Sequence, residues 1–109
     1  MPSLRQLHFG LQPFAFQLLK LAGHDVRVTS VRRSRAEQAR LYERFLAGKS
    51  NLPAAPPGQS LHEYGLAFDL ARAGIEPHDD PVLAQLGEVW NAWGGHWSRS
   101  DPVHFEVRP

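Results

Sequence analysis

The 109 residues leave room for one domain, and a chain of this size buries roughly 60 to 70% of its unfolded surface, enough for a core without staples. It has no cysteine, which excludes a disulfide framework and a thiolate-held zinc, so any metal must rely on His and Asp/Glu. The net charge of +1 hides nine Lys/Arg against three acids over residues 1–59 and three against eight over residues 60–109. The basic run at 31–35 is short, lacks interleaved aromatics and opens a patterned helix, so no nucleic-acid partner is expected.

The first residues, Met1-Pro2-Ser3-Leu4-Arg5-Gln6, lack an apolar h-region and a small-residue cleavage site, and no later run approaches the ~20 apolar residues of a membrane span. The expectation is a chain that is cytoplasmic at synthesis, without a membrane span. Gln12-Pro13 followed by Phe14, Leu18 and Leu21 predicts a core helix with proline in its first turn, ended by Gly23. The alternating β-branched stretch Val26–Ser30 reads as a half-buried strand. Ser34 with Glu37 forms a capping box, after which Gln38, Leu41, Tyr42, Phe45 and Leu46 keep helical spacing up to Gly48.

Residues 51–59 hold three prolines and a glycine, which forbids regular structure. Neither side alone has enough elements for a core, so this stretch is expected to be an ordered rim loop of a single domain spanning 1–109. Short strands are expected at 67–70 and 103–107. Between them Asp79 or Asp80 caps a helix with Pro81 in its first turn and a stripe of Leu83, Leu86, Trp90 and Trp93, stopped by Gly94-Gly95.

The chemistry concentrates in residues 60–70 and 93–106. They bring two imidazoles and a carboxylate, His62, Asp69 and His104, beside a further acid, Asp101. Those residue types suit an open zinc site with three protein ligands, an exchangeable water and a general base. Gly65 permits a positive φ or a close approach between His62 and Asp69, and Pro102 restrains Asp101 toward extended backbone. Asp101 also suits a turn before proline, and Ser60 suits either substrate or a local backbone bond. Arg33 at a helix start opposes the helix dipole, which asks for a reason beyond local structure. Trp90, Trp93 and Trp97 read as core and pocket wall, Glu106 and His96 as partners for a ligand imidazole, and His8, His24 and His78 as structural or exposed.

The pattern Ser60-x-His62-x-x-Gly65-x-Ala67-x-Asp69, then Trp93-Gly94-Gly95 and Asp101-x-x-His104-Phe105-Glu106, resembles the VanY-like zinc D-alanyl-D-alanine carboxypeptidase and L-alanyl-D-glutamate endopeptidase family, including phage endolysins. Upstream, Val28-Thr29-Ser30-Val31-Arg32-Arg33-Ser34 resembles the family's Thr-Ser-Gly-Tyr-Arg-Ser turn. The resemblance implies a compact α+β domain, a small antiparallel sheet with flanking helices as in Hedgehog and DD-peptidase folds. It implies one Zn2+ per chain on His62, Asp69 and His104, with Asp101 as general base and Arg33 holding substrate or the developing oxyanion. Ser60 and His96 are substrate-binding candidates.

The implied partner is the peptidoglycan stem peptide, acted on by a monomer after release to the wall, in the manner of a phage-encoded lysin. The endopeptidase activity is the first expectation. A D-alanyl-D-alanine carboxypeptidase and a non-catalytic zinc-binding module are the alternatives, and Asp101 favours an enzyme, since a binding module needs no base. Two departures stand out. Val31-Arg32 replaces Gly-Tyr, leaving Arg32 as a rival to Arg33, and His96 stands where endolysin relatives often carry Asp.

Overall fold

The computed structural model describes residues 2–23 and 25–109; the expectation for His24 falls outside them. Three helices and a three-stranded antiparallel sheet form an α+β domain: α1 (Gln12–Ala22), β1 (Val26–Ser30), α2 (Arg35–Leu46), β2 (Ala67–Arg72), α3 (Pro81–Ala92) and β3 (His104–Glu106). No helix of the described residues is long and apolar enough to cross a membrane.

The sheet order is β1-β2-β3, with β2 in the centre. Strand alternation gives it two faces of different chemistry. Phe68 pairs with Phe105 across β2 and β3, and their rings stack at 5.4 Å. Trp90 of α3 meets Phe68 edge-on at 5.2 Å, and α1 packs beside α3, supplying Ala15 and Leu18 to the core. The opposite face carries Ala67, Asp69, His104 and Glu106, so one side of the sheet makes the core and the other presents polar groups. The Trp90 indole N–H donates to the Glu106 carbonyl at 2.9 Å, tying α3 to the short third strand.

The helix ends follow the sequence closely. Pro13 lies in the first turn of α1 and Gly23 caps its end with φ 91°. Ser34 and Glu37 close the expected box on α2. Asp80, rather than Asp79, caps α3: its Oδ1 accepts the Val82 N–H at 2.9 Å, while Arg72 holds both carboxylate oxygens at 3.0 and 2.8 Å.

The buried faces differ from the predicted stripes. In α1 the buried line is Leu11, Ala15 and Leu18, leaving Phe14 and Leu21 exposed. Trp93 is exposed at the end of α3, where the chain leaves the core surface. In α2 only Gln38 is buried, while Phe45 and Leu46 face outward. The α1 face turns because the residues before it also belong to the core. Ser3 caps a 3-10 turn at Leu4–Gln6, Leu4 and Leu7 are buried, and the His8 N–H donates to the Gly65 carbonyl at 2.8 Å.

One contact constrains the α3 interior. A Cβ on Gly87 would lie 2.0 Å from the Trp97 indole. That ring is held by its N–H to the Pro102 carbonyl at 2.9 Å, and the Trp97 backbone by the Asn91 amide at 2.7 and 3.1 Å. Gly87→Ala gains about 1 kcal/mol of helix propensity but overpacks the core at a typical cost of about 1–3 kcal/mol. Because the ring is buried and tied by these bonds, net destabilisation is expected as a lower urea midpoint. An unchanged or higher midpoint contradicts this packing account.

Candidate metal centre

His62 arrives from outside the sheet. It lies on a 3-10 turn, Leu61–Tyr64, whose start is boxed by Ser60 and Glu63 and whose end is Gly65 at φ 71°. A side chain at Gly65 would be strained by that φ and would also approach His8 N within 3.2 Å and Gln6 O within 3.3 Å, so glycine is needed twice over. The His62 carbonyl accepts the Arg33 N–H at 3.1 Å. Its Nδ1 lies 2.6 Å from the Val31 carbonyl, which only accepts, so Nδ1 carries the hydrogen and the Nε2 lone pair points into the site.

Asp69 and His104 are brought together by strand register, since they pair directly across β2 and β3. The Nε2 of His104 faces a carboxylate oxygen of Glu106 at 2.7 Å, while Arg108 donates to the other oxygen at 2.7 Å. This fixes the tautomer of His104 and turns Nδ1 inward, as a carboxylate partner does for a metal-binding imidazole.

The result is a triangle of His62 Nε2, Asp69 Oδ1 and His104 Nδ1 with edges of 2.9, 3.2 and 3.4 Å. Zinc bonds of ~2.0–2.1 Å in tetrahedral geometry require ligand atoms roughly 3.3 Å apart. With both imidazoles neutral, all three corners are acceptors and no hydrogen lies between them. The donor set therefore fits a small divalent cation, and without one it holds a proton. Burial alone would lower the basicity of His104, yet its hydrogen bonds with Asp69 and Glu106 prevail and hold it up at about 9. Burial likewise opposes ionisation of Asp69, but bonds with His104 and His62 and the charge of Arg33 keep it well below the usual carboxylate range. Glu106 is lowered to about 2, chiefly by its bond to His104.

Of the two rival arginines, Arg33 reaches this cluster and Arg32 is exposed. Arg33 Nη2 donates to Asp69 Oδ2 at 2.7 Å, Nε to Ser30 Oγ at 2.9 Å and Nη1 to Gln38 Oε1 at 3.2 Å. The guanidinium thus orients Asp69, a task the sequence reading did not give it. A register shift between Val28 and Ser30 sets Ser30 directly opposite Asp69, as a bulge that re-aims side chains does.

A groove of about 700 Å³ surrounds the triangle and includes Asp101, Ser60 and His96 in its wall. Burial pushes Asp101 up to about 6, with the charge of Asp69 adding to this and nearby cations opposing it. Ser60 is buried, and its hydroxyl accepts the His62 N–H at 3.2 Å, so it builds the turn. His96 pairs through its backbone with Glu106 at 2.9 and 3.1 Å.

Gln38 and Glu63 were missed as site-building residues. Gln38 bridges Arg33 to the rim loop by donating to the Ala55 carbonyl at 2.9 Å, and the signal was available: an amide on the face of a helix expected to be buried. Glu63 accepts the N–H groups of Gly58 and Ser60 at 2.8 and 3.2 Å, completing a capping box that Ser60 and Glu63 spell out in the sequence. The Val31 carbonyl has no sequence signal, because every residue carries one.

A family model described as D-alanyl-D-alanine carboxypeptidase matches residues 54–107, a span that includes all three corners and Asp101 but not Arg33. Peptidoglycan L-alanyl-D-glutamate endopeptidase CwlK of Bacillus subtilis is 31% identical over 108 aligned residues, covering 80% of this chain and 63% of that protein. The chain therefore spans under two thirds of that curated relative. Among solved structures, the L-Ala D-Glu endopeptidase ChiX of Serratia marcescens superposes with a TM-score of 0.64 at 25% identity, covering 96% of this chain and 83% of that one. The vancomycin resistance D,D-pentapeptidase VanY from the VanB-type cassette, in complex with Zn(II), shares the fold with a TM-score of 0.71 at 20% identity, covering 93% and 72%. The sequence likeness runs through the residues that build the triangle and the fold likeness through nearly the whole chain, and both are to VanY-like peptidases.

Proposed function

We propose that the chain is a zinc-dependent peptidase of bacterial peptidoglycan that hydrolyses the L-alanyl-D-glutamate bond of the stem peptide. The observation that carries the reading is the convergence of three acceptors on one point, with Asp101 in the same groove. Zinc held by His62 Nε2, Asp69 Oδ1 and His104 Nδ1 would supply a Lewis acid and lower the pKa of water at the site.

The remaining work falls to the chain's own side chains. Asp101, a carboxylate raised to about 6 by burial, accepts a proton from the attacking water at its carboxylate oxygen and passes it to the leaving amine, a task best served by a pKa near the working pH. Arg33 keeps Asp69 ionised and aimed. It spends three N–H groups on Ser30, Gln38 and Asp69, and the other two of its five, without a partner among the described residues, can serve a substrate oxygen. Trp97 and Val103 form part of the groove wall and limit water there.

Besides the triangle, the groove is lined by Arg44 and Leu52 and by His96 and Arg108. A cleft of that reach suits a peptide extending past the cleaved bond, and the likeness to CwlK and ChiX supports the same bond. The second reading, a D-alanyl-D-alanine carboxypeptidase, is favoured by the description of the matching family model.

Purified protein is expected to hold about one zinc per chain by metal analysis, and His62→Ala or His104→Ala to lose most of it, since three ligands leave no redundancy. Metal must displace the proton that His104 keeps below about pH 9; apparent zinc affinity should therefore rise about tenfold per pH unit through neutrality, measured by competition with a chelator. Full occupancy in both variants removes the ligand assignment.

Asp101→Asn keeps the shape of the side chain and removes its proton acceptor. Turnover is expected to drop by ~10²–10⁴-fold with zinc retained. Loss of zinc instead would make Asp101 a ligand.

The bond is tested by digesting purified peptidoglycan and identifying new termini by mass spectrometry. A new D-glutamate amino terminus is expected. Release of free D-alanine without it would turn the assignment to the carboxypeptidase.

A further inference from the structure

Building on the peptidase reading, we propose that Arg44 is a specificity-determining residue that receives a carboxylate of the stem peptide. Three arginines line the groove. Arg33 is matched to Asp69 and Arg108 to Glu106, both at 2.7 Å. Among the described residues, no carboxylate lies within ion-pair distance of Arg44. It is the groove-lining guanidinium whose charge the protein leaves uncompensated.

Its place on α2 sets its distance from the chemistry. Gln38, Leu41 and Arg44 lie three residues apart on one helical face and all line the groove. Gln38 is bonded to Arg33, and Arg33 to Asp69, at 3.2 and 2.7 Å. At 1.5 Å of rise per residue, Arg44 stands about 9 Å farther along the helix than Gln38. An extended peptide covers ~3.3 Å per residue, and an arginine side chain reaches back several ångströms, so the guanidinium addresses a group one to three residues from the cleaved bond. Between the two, Leu41 adds an apolar side chain, and Leu52, Pro53 and Ala54 of the rim loop also line the groove, apolar surface that suits a methyl side chain. A peptide in which alanine adjoins residues bearing free carboxylates fits that combination of apolar and cationic surface. The planar fork of arginine matches a carboxylate in two parallel hydrogen bonds.

Arg44 also lies in the last turn of α2, where any cation is mildly favourable against the helix dipole. A dipole role would affect stability alone and would be indifferent to the substrate. The two are separated by steady-state kinetics of wild type and Arg44→Gln on stem peptides in which each carboxylate in turn is free or amidated. Thermal unfolding checks that the variant is folded.

For one carboxylate, amidation is expected to raise KM of the wild type about 10- to 100-fold, the size of a charge-assisted hydrogen bond. Arg44→Gln should show the raised KM already with that carboxylate free, respond little to its amidation, and keep kcat within about threefold. Equal responses of the two proteins to every amidation overturn the proposal while leaving the peptidase reading in place. If the wild type cleaves none of the peptides, the peptidase reading falls and the assignment of Arg44 falls with it.

Discussion

The register between β2 and β3 is the constraint on which the candidate metal centre depends. Asp69 faces His104 and Ala67 faces Glu106 because Phe68 and Phe105 pair on the other side. The side-chain period of a strand is two, so a slip of one residue would send the polar set into the core and the aromatic rings into the groove. The same stacked pair that anchors the core therefore aims Asp69 and His104. Burying Phe68 and Phe105 completely, at roughly 1.5–3 kcal/mol for each large side chain, also specifies where Asp69 and His104 point.

His62 cannot come from this sheet face and is delivered by a separate device. The 3-10 turn capped by Ser60 and Glu63 and ended by Gly65 is fastened at both sides. The His62 imidazole and carbonyl bind the 31–33 turn, and the Gly65 carbonyl binds the N-terminal segment. Each corner of the triangle is thus oriented by a group that does not itself belong to it: Val31 for His62, Arg33 for Asp69 and Glu106 for His104. That matters energetically, because a buried carboxylate such as Asp69 is tolerated only when its charge is compensated and its oxygens are bonded. Arg33 supplies one positive charge, and the proton on His104 or a bound cation supplies the other.

Much of this was legible in the sequence, for identifiable reasons. Val26–Ser30 was placed correctly by strict alternation, the start of α2 by Ser34 and Glu37, and the turn at Gly65 by glycine between two chemistry-bearing segments. Those are local signals. The face of α1 was misread because Leu4 and Leu7, part of the same core, precede the helix and shift which side is buried. Amphipathic spacing identifies a helix, whereas the choice among Phe14, Ala15 and Leu18 belongs to tertiary packing. The position of Arg33 was found but its main bond to Asp69 was not, since 36 residues separate them and nothing local links them.

Helix α2 shows why the remaining error is informative. It was the most clearly punctuated helix in the sequence, yet it buries only Gln38 and leaves Phe45 and Leu46 outward. A helix contributing to the core would bury its leucine and aromatic stripe. This one buries an amide, which accepts from Arg33 and donates to Ala55 of the rim loop. Its strong capping box sustains a helix that tertiary burial barely supports. The capping box together with the bonds of Gln38 to Arg33 and Ala55, rather than burial of an apolar stripe, holds the groove wall in place. That groove wall is thereby free to carry polar and charged groups that a core-facing helix could not accommodate.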